Sequence, residues 1–361
     1  MKNALGLLPA WTLATPVLGW LLLAGNGLGL GGAYQALLVV GLLGGVLAAV
    51  HHAEVVAHRV GEPFGTLILA AAVTAIEVAL IVTLMLAGGE ATSALARDTV
   101  FATVMIILNG IVGICLLVGG QRFVEQRFEL KGVSASLSTL ATIVVLTLIL
   151  PVFTTSVPGP FYSAKQLGFV AVISLLLYGT FVFIQTVRHR DYFLPQDVSL
   201  SEDEHLHPPS NQVALVSAAL LLIGLTAVVL LAKAISPTIE AGVARIGAPA
   251  ALVGIIIAAI VLLPEGLAAL RAARVNRLQT SLNLALGSAL ASIGLSIPAV
   301  AIVSILNGWP LALGLDTKSI VLLVLTLMVS TLSLGTGRTT VLHGVVHLAL
   351  FATYLFMTIF P

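Results

Sequence analysis

E-V-V-A-H-R-V-G-E-P (Glu54–Pro63) and E-A-G-V-A-R-I-G-A-P (Glu240–Pro249) both fit the pattern E-x-x-x-x-R-(V/I)-G-x-P. Each lies near the end of one apolar stretch and leads into another that carries a lone glutamate: Glu77, sixteen residues after Gly61, and Glu265, eighteen after Gly247. The register slips by two residues between the copies, as in an old or locally rearranged internal duplication. If five membrane crossings separate them, an odd number, the second unit lies upside down relative to the first. Inverted repeats of this kind are a common construction of secondary transporters, with the substrate site at the repeat interface near the bilayer midplane.

The rest of the chain supplies those crossings. Of 361 residues, 59% are hydrophobic and 9% charged, against about a quarter charged in soluble domains. Mean hydropathy is +1.13. A spanning helix needs about 20 mainly apolar residues. Charges and Pro/Gly clusters divide the chain into eleven such stretches: residues 5–24, 33–57, 64–88, 99–120, 134–156, 165–187, 211–235, 248–271, 278–306, 317–335 and 339–360. The expected fold is therefore an all-α integral membrane protein of about eleven helices, one leading helix (1–30) and two inverted five-helix repeats (31–187 and 211–361). The acidic segment RHRDYFLPQDVSLSEDEHLHPPS, Arg188–Ser210, is the only long polar interruption and links the halves.

Cationic residues orient the chain. With the N-terminus in the cytoplasm, Lys2, Arg59, Arg122, Arg127, Lys131, Arg188, Arg190, Arg271, Arg274, Arg277 and Arg338 fall inside and Arg97, Lys165, Lys233, Arg245 and Lys318 outside, as the positive-inside rule favours. Lys plus Arg (16) nearly balance Asp plus Glu (15), so there is no basic stripe for nucleic acid. One cysteine, Cys115, excludes a disulfide framework. The glycine-rich GNGLGLGG (Gly25–Gly32) lacks the Gly-Lys-Ser/Thr of a nucleotide loop and reads as a turn between helices.

Function should reside where charge enters the membrane. Of fifteen acidic residues, only Glu77 and Glu265 sit well inside a predicted span. An ionised side chain at that depth costs at least about 2.5–3.5 kcal/mol, so such residues usually mark ion or proton pathways. Thr74 lies one turn before Glu77. Pro264 removes a backbone donor beside Glu265 and should break its helix, freeing carbonyl oxygens. In the next stretch, Ser281, Ser288 and Ser292 form one helical stripe beside Gly287. With Asn283 and Asn109 these residues complete the expected cation- and proton-binding set; Glu77 and Glu265 are the expected metal ligands. A hard cation takes several oxygens from carboxylates, carbonyls, hydroxyls and water.

At these residues the sequence is similar to a known family. GEPFGTLILAAAVTAIEVALIV (Gly61–Val82) and LLPEGLAALRAARVNRLQTSLNLALGSALASIGLSIP (Leu262–Pro298) resemble the paired alpha-repeats of the calcium/cation antiporter superfamily, closest to bacterial calcium/proton antiporters that also handle sodium and potassium. The resemblance implies exchange of Ca2+, Na+ or K+ for protons at Glu77 and Glu265, by alternating access in the bacterial cytoplasmic membrane, with membrane lipid and inorganic cations as partners and no cofactor. The chain departs from the wider superfamily, whose motif commonly has Gly-Asn-Ala before the glutamate: Val73-Thr74-Ala75 and Leu262-Leu263-Pro264 stand there instead, so an asparagine ligand does not transfer.

Other clusters compete for a role. His51, His52 and His58 lie beside Glu54 and Glu62 near a helix end, where they titrate near neutrality and suit pH sensing as well as simple solvation. His343 and His347 have the i, i+4 spacing of a metal pair but no third ligand nearby, which favours a structural role. Glu202–His207 in the linker suits cation sensing or a solvated loop. The rival class is an intramembrane enzyme using paired carboxylates or these histidines; neither a Gly-Asp pair nor HExxH supports it.

Overall fold

The computed structural model describes residues 8–28, 31–61, 64–88, 92–194, 208–249 and 251–360. Each apolar stretch is helical where described. The helices are α1 (Ala10–Gly25), α2 (Gly32–Val60), α3 (Phe64–Gly88), α4 (Leu95–Met105), α5 (Val112–Phe123), α6 (Leu130–Val144), α7 (Ala164–Phe183), α8 (Asn211–Arg245), α9 (Ala251–Val261), α10 (Leu263–Arg274), α11 (Leu278–Asn307), α12 (Thr317–Leu334) and α13 (Val341–Ile359). Among the described residues eight continuous helical segments are long and apolar enough to cross a membrane, nine if the bent pair α9/α10 is one span; α1 has 16 residues, and within α3 the run Ala71–Leu86 is a shorter apolar helix.

Among the described residues three spans contain a π turn. Ile106–Ile111 joins α4 to α5, Val145–Ile149 extends α6, and Ile184–Arg188 extends α7. A π turn inserts one extra residue and re-aims the side chains that follow. The eighth stretch behaves as its proline requires: α9 and α10 meet at a 55° bend beside Pro264. The seventh runs ten residues beyond the expected end at 235, because α8 continues through Pro237 to Arg245. There the Ser236 hydroxyl donates to Glu240 (2.8 Å), so polar residues that read as a helix end face one another along the helix.

The chain forms two compact units, one of residues 1–84 and 198–253, the other of 85–197 and 254–361. In the first, α2 lies along α8 and α1 packs on both. Small residues permit the approach: a Cβ on Gly45 would sit 3.0 Å from Val228 Cγ2. In lipid, such close packing replaces the hydrophobic drive between helices. The pair is antiparallel and pinned at both ends: Arg59 Nε donates to Asn211 Oδ1 (2.7 Å), and the Thr238 hydroxyl to Gln35 Oε1 (3.1 Å). Both copies of the E-x-x-x-x-R-(V/I)-G motif close these helices, and both glycines take left-handed backbone, Gly61 at φ 76° and Gly247 at φ 69°.

In the second unit, α11 is buried along most of its length and packs on α6, α7 and α10. α10 and α11 form a hairpin whose turn contains Asn276 in left-handed backbone (φ 60°). Buried Gln126 secures that turn, its Nε2 donating to Asn276 Oδ1 (3.0 Å) and the Ala273 carbonyl (3.2 Å). Gln126 lies in a two-residue antiparallel ladder, Gln126–Arg127 with Arg338–Thr339. α13 closes on α5 through Gly344, Gly113 and Gly120.

Candidate cation site

Glu77 lies in the first unit, midway along the unbroken helix α3, and is 4% exposed. Thr74, one turn before it, is equally buried. Val73, Ile76, Leu80 and Ile81 are buried around them, so a carboxylate and a hydroxyl share an otherwise apolar stretch of the helix.

Glu265 lies in the second unit and is held differently. It occupies the first turn of α10, directly after Pro264. Pro264 carries no N–H, so the Ile260 carbonyl loses its helical donor at the bend. The positive end of the α10 dipole favours a carboxylate in its first turn, an effect of about 0.3–1 kcal/mol at an exposed terminus and more when partly buried. Carbonyl oxygen and carboxylate thus occur together at one broken helix, whereas α3 has no proline and no break.

The hairpin sets which residues of α11 lie level with Glu265. Counting from the turn at Asn276, Glu265 is eleven residues back and Ser288 twelve forward. At about 1.5 Å per residue, both lie some 16–18 Å from the turn. Gly287, next to Ser288, has open space at its Cβ position. Ser281 is near the turn, buried, and hydrogen-bonded with the Cys115 thiol. Ser292 is buried one turn beyond Ser288.

The two asparagines have other partners. Asn283 Nδ2 donates to the Phe193 carbonyl (2.5 Å) and its Oδ1 accepts from Gln279 (3.0 Å), which fastens Arg190–Phe193, the root of the central linker, to α11. Asn109, fully buried in the π turn, donates from Nδ2 to Thr326 Oγ1 (2.8 Å) and accepts at Oδ1 from His347 (3.2 Å). His347 also contacts Ser333 Oγ at 2.8 Å, and His343 Nδ1 accepts from the Thr340 N–H at the start of α13. Sequence reasoning did not find Thr326 and Ser333; their spacing, with Ser330 between them, makes one polar stripe on α12 that could have marked them.

Of the other histidines, His52 is buried with Nε2 3.1 Å from the Thr12 carbonyl. His51 Nδ1 lies 4.0 Å from Glu54, and its ring is 5.8 Å from that of Trp11. His58 is exposed at the last turn of α2. Glu62 and Glu202–His207 lie outside the described residues.

A multi-pass all-α membrane protein with one buried carboxylate inside a helix, Glu77, and a second, half-buried one at a helix break, Glu265, has the make-up of an ion exchanger. The sequence profile described as sodium/calcium exchanger protein matches residues 31–187 and again 216–360, and the chain belongs to that family. It is 50% identical over 326 residues to a Sinorhizobium fredii protein named as an ionic transporter, y4hA, covering 90% of this chain and 88% of that one. It is 39% identical over 330 residues to the sodium-potassium/proton antiporter ChaA of Escherichia coli, covering 91% and 89%. Among solved structures, YfkE superimposes with a TM-score of 0.74 at 17% identity, covering 97% of this chain and all of the other. The H+/Ca2+ exchanger CAX does so at 0.69 and 16%, covering 96% and 87%. At these identities the two structures show the shared fold.

Proposed function

We propose that this protein exchanges an inorganic cation for protons, with Glu77 and Glu265 as the shared binding groups. Ca2+ is the first candidate, Na+ and K+ the others. The observation that carries the proposal is the duplicated arrangement around the two glutamates. Each motif copy closes a long helix at a left-handed glycine, the two helices run antiparallel, and one glutamate follows each: Glu77 within α3, and Glu265 on α10, the second half of the bent pair α9/α10. The twofold match to one family profile supports the division into repeats, 31–187 and 211–361 joined by the linker. The proton-coupled activity in the name of ChaA, and the Ca2+ and H+ in that of CAX, support the choice of ions.

Exchange follows from competition at the same oxygens. A dehydrated cation requires the carboxylates ionised, whereas protons neutralise them and release it. Empty and doubly ionised, the site is too costly to carry across the bilayer, so passage in one direction requires the other ligand in return. Two protons replace one divalent ion without net charge at the pair. Ser288, Ser292, Thr74 and carbonyls freed at Pro264 supply further oxygens, Ser281 lying nearer the hairpin turn than Glu265, and the glutamate-bearing helices alternate access. The N-terminus and linker are cytoplasmic and the membrane is the bacterial inner membrane, in line with the cation count inside.

Everted vesicles containing the protein test this directly. With a fixed proton gradient, addition of Ca2+, Na+ or K+ in turn should dissipate the gradient for at least one cation. Dissipation by none, with the protein correctly inserted, would overturn the reading.

A further inference from the structure

The fully buried Asn109, His347 and Thr326 hold three segments of the second unit together. Asn109 sits in the π turn, Thr326 on α12 and His347 on α13. Because the amide nitrogen of Asn109 is used on Thr326, with Met105 Sδ 3.8 Å away, its oxygen is left to accept from His347. That puts the imidazole proton on Nδ1 and leaves Nε2 to accept from the Ser333 hydroxyl at 2.8 Å. Every donor and acceptor of Asn109 and His347 is then engaged. A set of buried hydrogen bonds this complete fixes side-chain positions rather than merely tolerating them.

The other side of the same π turn faces the candidate site. Ile111 Cδ1 lies 3.2 Å from where a Cβ on Gly266 would be, and Gly266 follows Glu265. The extra residue of a π turn lets neighbouring positions on one turn address different helices. Here Asn109 is tied to α12 and α13 while Ile111 rests on the first turn of α10. The lock on Asn109 therefore sets where Ile111 meets the Glu265 helix.

We infer that His347 is a positioning residue for cation binding: through Asn109 it holds the π turn against the start of α10 and so sets the position of Glu265. The inference rests on Glu265 being a cation-binding group. Thr326 serves the same purpose from the opposite end of the Asn109 amide.

The test uses the full chain in proteoliposomes, measuring proton-coupled exchange against cation concentration. His347→Phe removes both ring bonds at similar volume, and Thr326→Val removes the acceptor at nearly unchanged shape. Each should raise the half-saturating cation concentration about tenfold, the scale of one lost buried hydrogen bond, with the maximal rate changed much less. His347→Gln and Thr326→Ser should restore it, and Asn109→Ala combined with His347→Phe should be no worse than Asn109→Ala alone. An unchanged half-saturation in folded Thr326→Val or His347→Phe, with only the thermal midpoint lowered, would make the lock purely structural and overturn the inference. Should His347→Phe fail to insert, Thr326→Val decides. Glu265→Gln run in parallel separates the two levels: if it loses coupling while the lock variants bind normally, only the inference fails. If Glu265→Gln exchanges normally, the site reading falls and the inference with it.

Discussion

Gly344→Ala should loosen α13 from α5, and the cost can be worked from the contact. A Cβ at Gly344 would stand 2.4 Å from the backbone nitrogen of Leu117, 2.7 Å from its Cα and 2.9 Å from the Gly113 carbonyl oxygen. All three are backbone atoms, so no side chain can turn aside and the helices must separate by roughly 1 Å to reach ordinary contact distance. A gap of about that size forfeits up to half the dispersion well for each facing atom pair. Together with backbone adjustment, overpacking of this kind costs about 1–3 kcal/mol. The shift is about 2–4 °C per kcal/mol for proteins of 150–250 residues and smaller for one of 361, so the apparent unfolding midpoint should fall by roughly 2–5 °C. The separation also reaches His347, one turn further along α13, whose Nδ1 is 3.2 Å from Asn109 and has little to spare before the bond is lost. Thermal unfolding of purified protein in detergent, followed by loss of the monodisperse peak, is the assay. A midpoint within about 1 °C of the parent would show that the two backbones are not in close contact, and the reasoning from this interface would fail.

Other perturbations give separable outcomes. Pro264→Ala returns an N–H to the bend and lets α9 run into α10; the helix should straighten and the maximal exchange rate fall at least several-fold without loss of stability, measured by initial flux rates and thermal midpoint. Asn283→Ala removes the one hydrogen bond from α11 to the Phe193 carbonyl, together with the Gln279 bond that orients the amide, and leaves that carbonyl without its partner, a loss of about 1–3 kcal/mol for the anchorage. Limited proteolysis should then cut near residues 188–194 faster than in the parent, and an unchanged cleavage rate would remove the anchoring role. Asn276→Ala puts a side chain without Asn's tolerance into left-handed backbone and removes the Gln126 contact, so it should destabilise the α10/α11 hairpin by about 1–2 kcal/mol, whereas Asn276→Gly should recover part of the loss.

Much of the fold was legible because lipid imposes a strong rule on composition: about 20 apolar residues make a span, and charges mark its ends. The bend at Pro264 followed from a single missing N–H. Three features did not follow. The π turn at Ile106–Ile111 carries no proline, glycine cluster or charge at its start, so nothing in IILNGI distinguishes it from continuous helix. The extension of α8 to Arg245 was hidden because Lys233, Ser236, Pro237 and Glu240 suggest an end, although Ser236 and Glu240 satisfy each other along the helix. Asn283 looked like a ligand because an asparagine beside a serine stripe supplies oxygen, yet its partners are a backbone carbonyl and Gln279 from the same helix, contacts that depend on how the linker folds back. His343 and His347, for which the sequence favours a structural role, cap a helix and lock an amide, but their partners were not legible. Spacing along one helix cannot reveal what neighbouring helices offer.

The claim that Glu77 and Glu265 are shared cation and proton sites is tested most directly by Glu77→Gln and Glu265→Gln in proteoliposomes, with substrate-dependent proton movement as the measurement. Glutamine keeps the shape and one oxygen but cannot exchange a proton, and a neutral amide is cheaper to bury than a carboxylate, so each variant should insert and fold at least as well as the parent. Both should lose coupled exchange entirely. Near-normal proton movement in either variant would contradict the claim and make that glutamate structural.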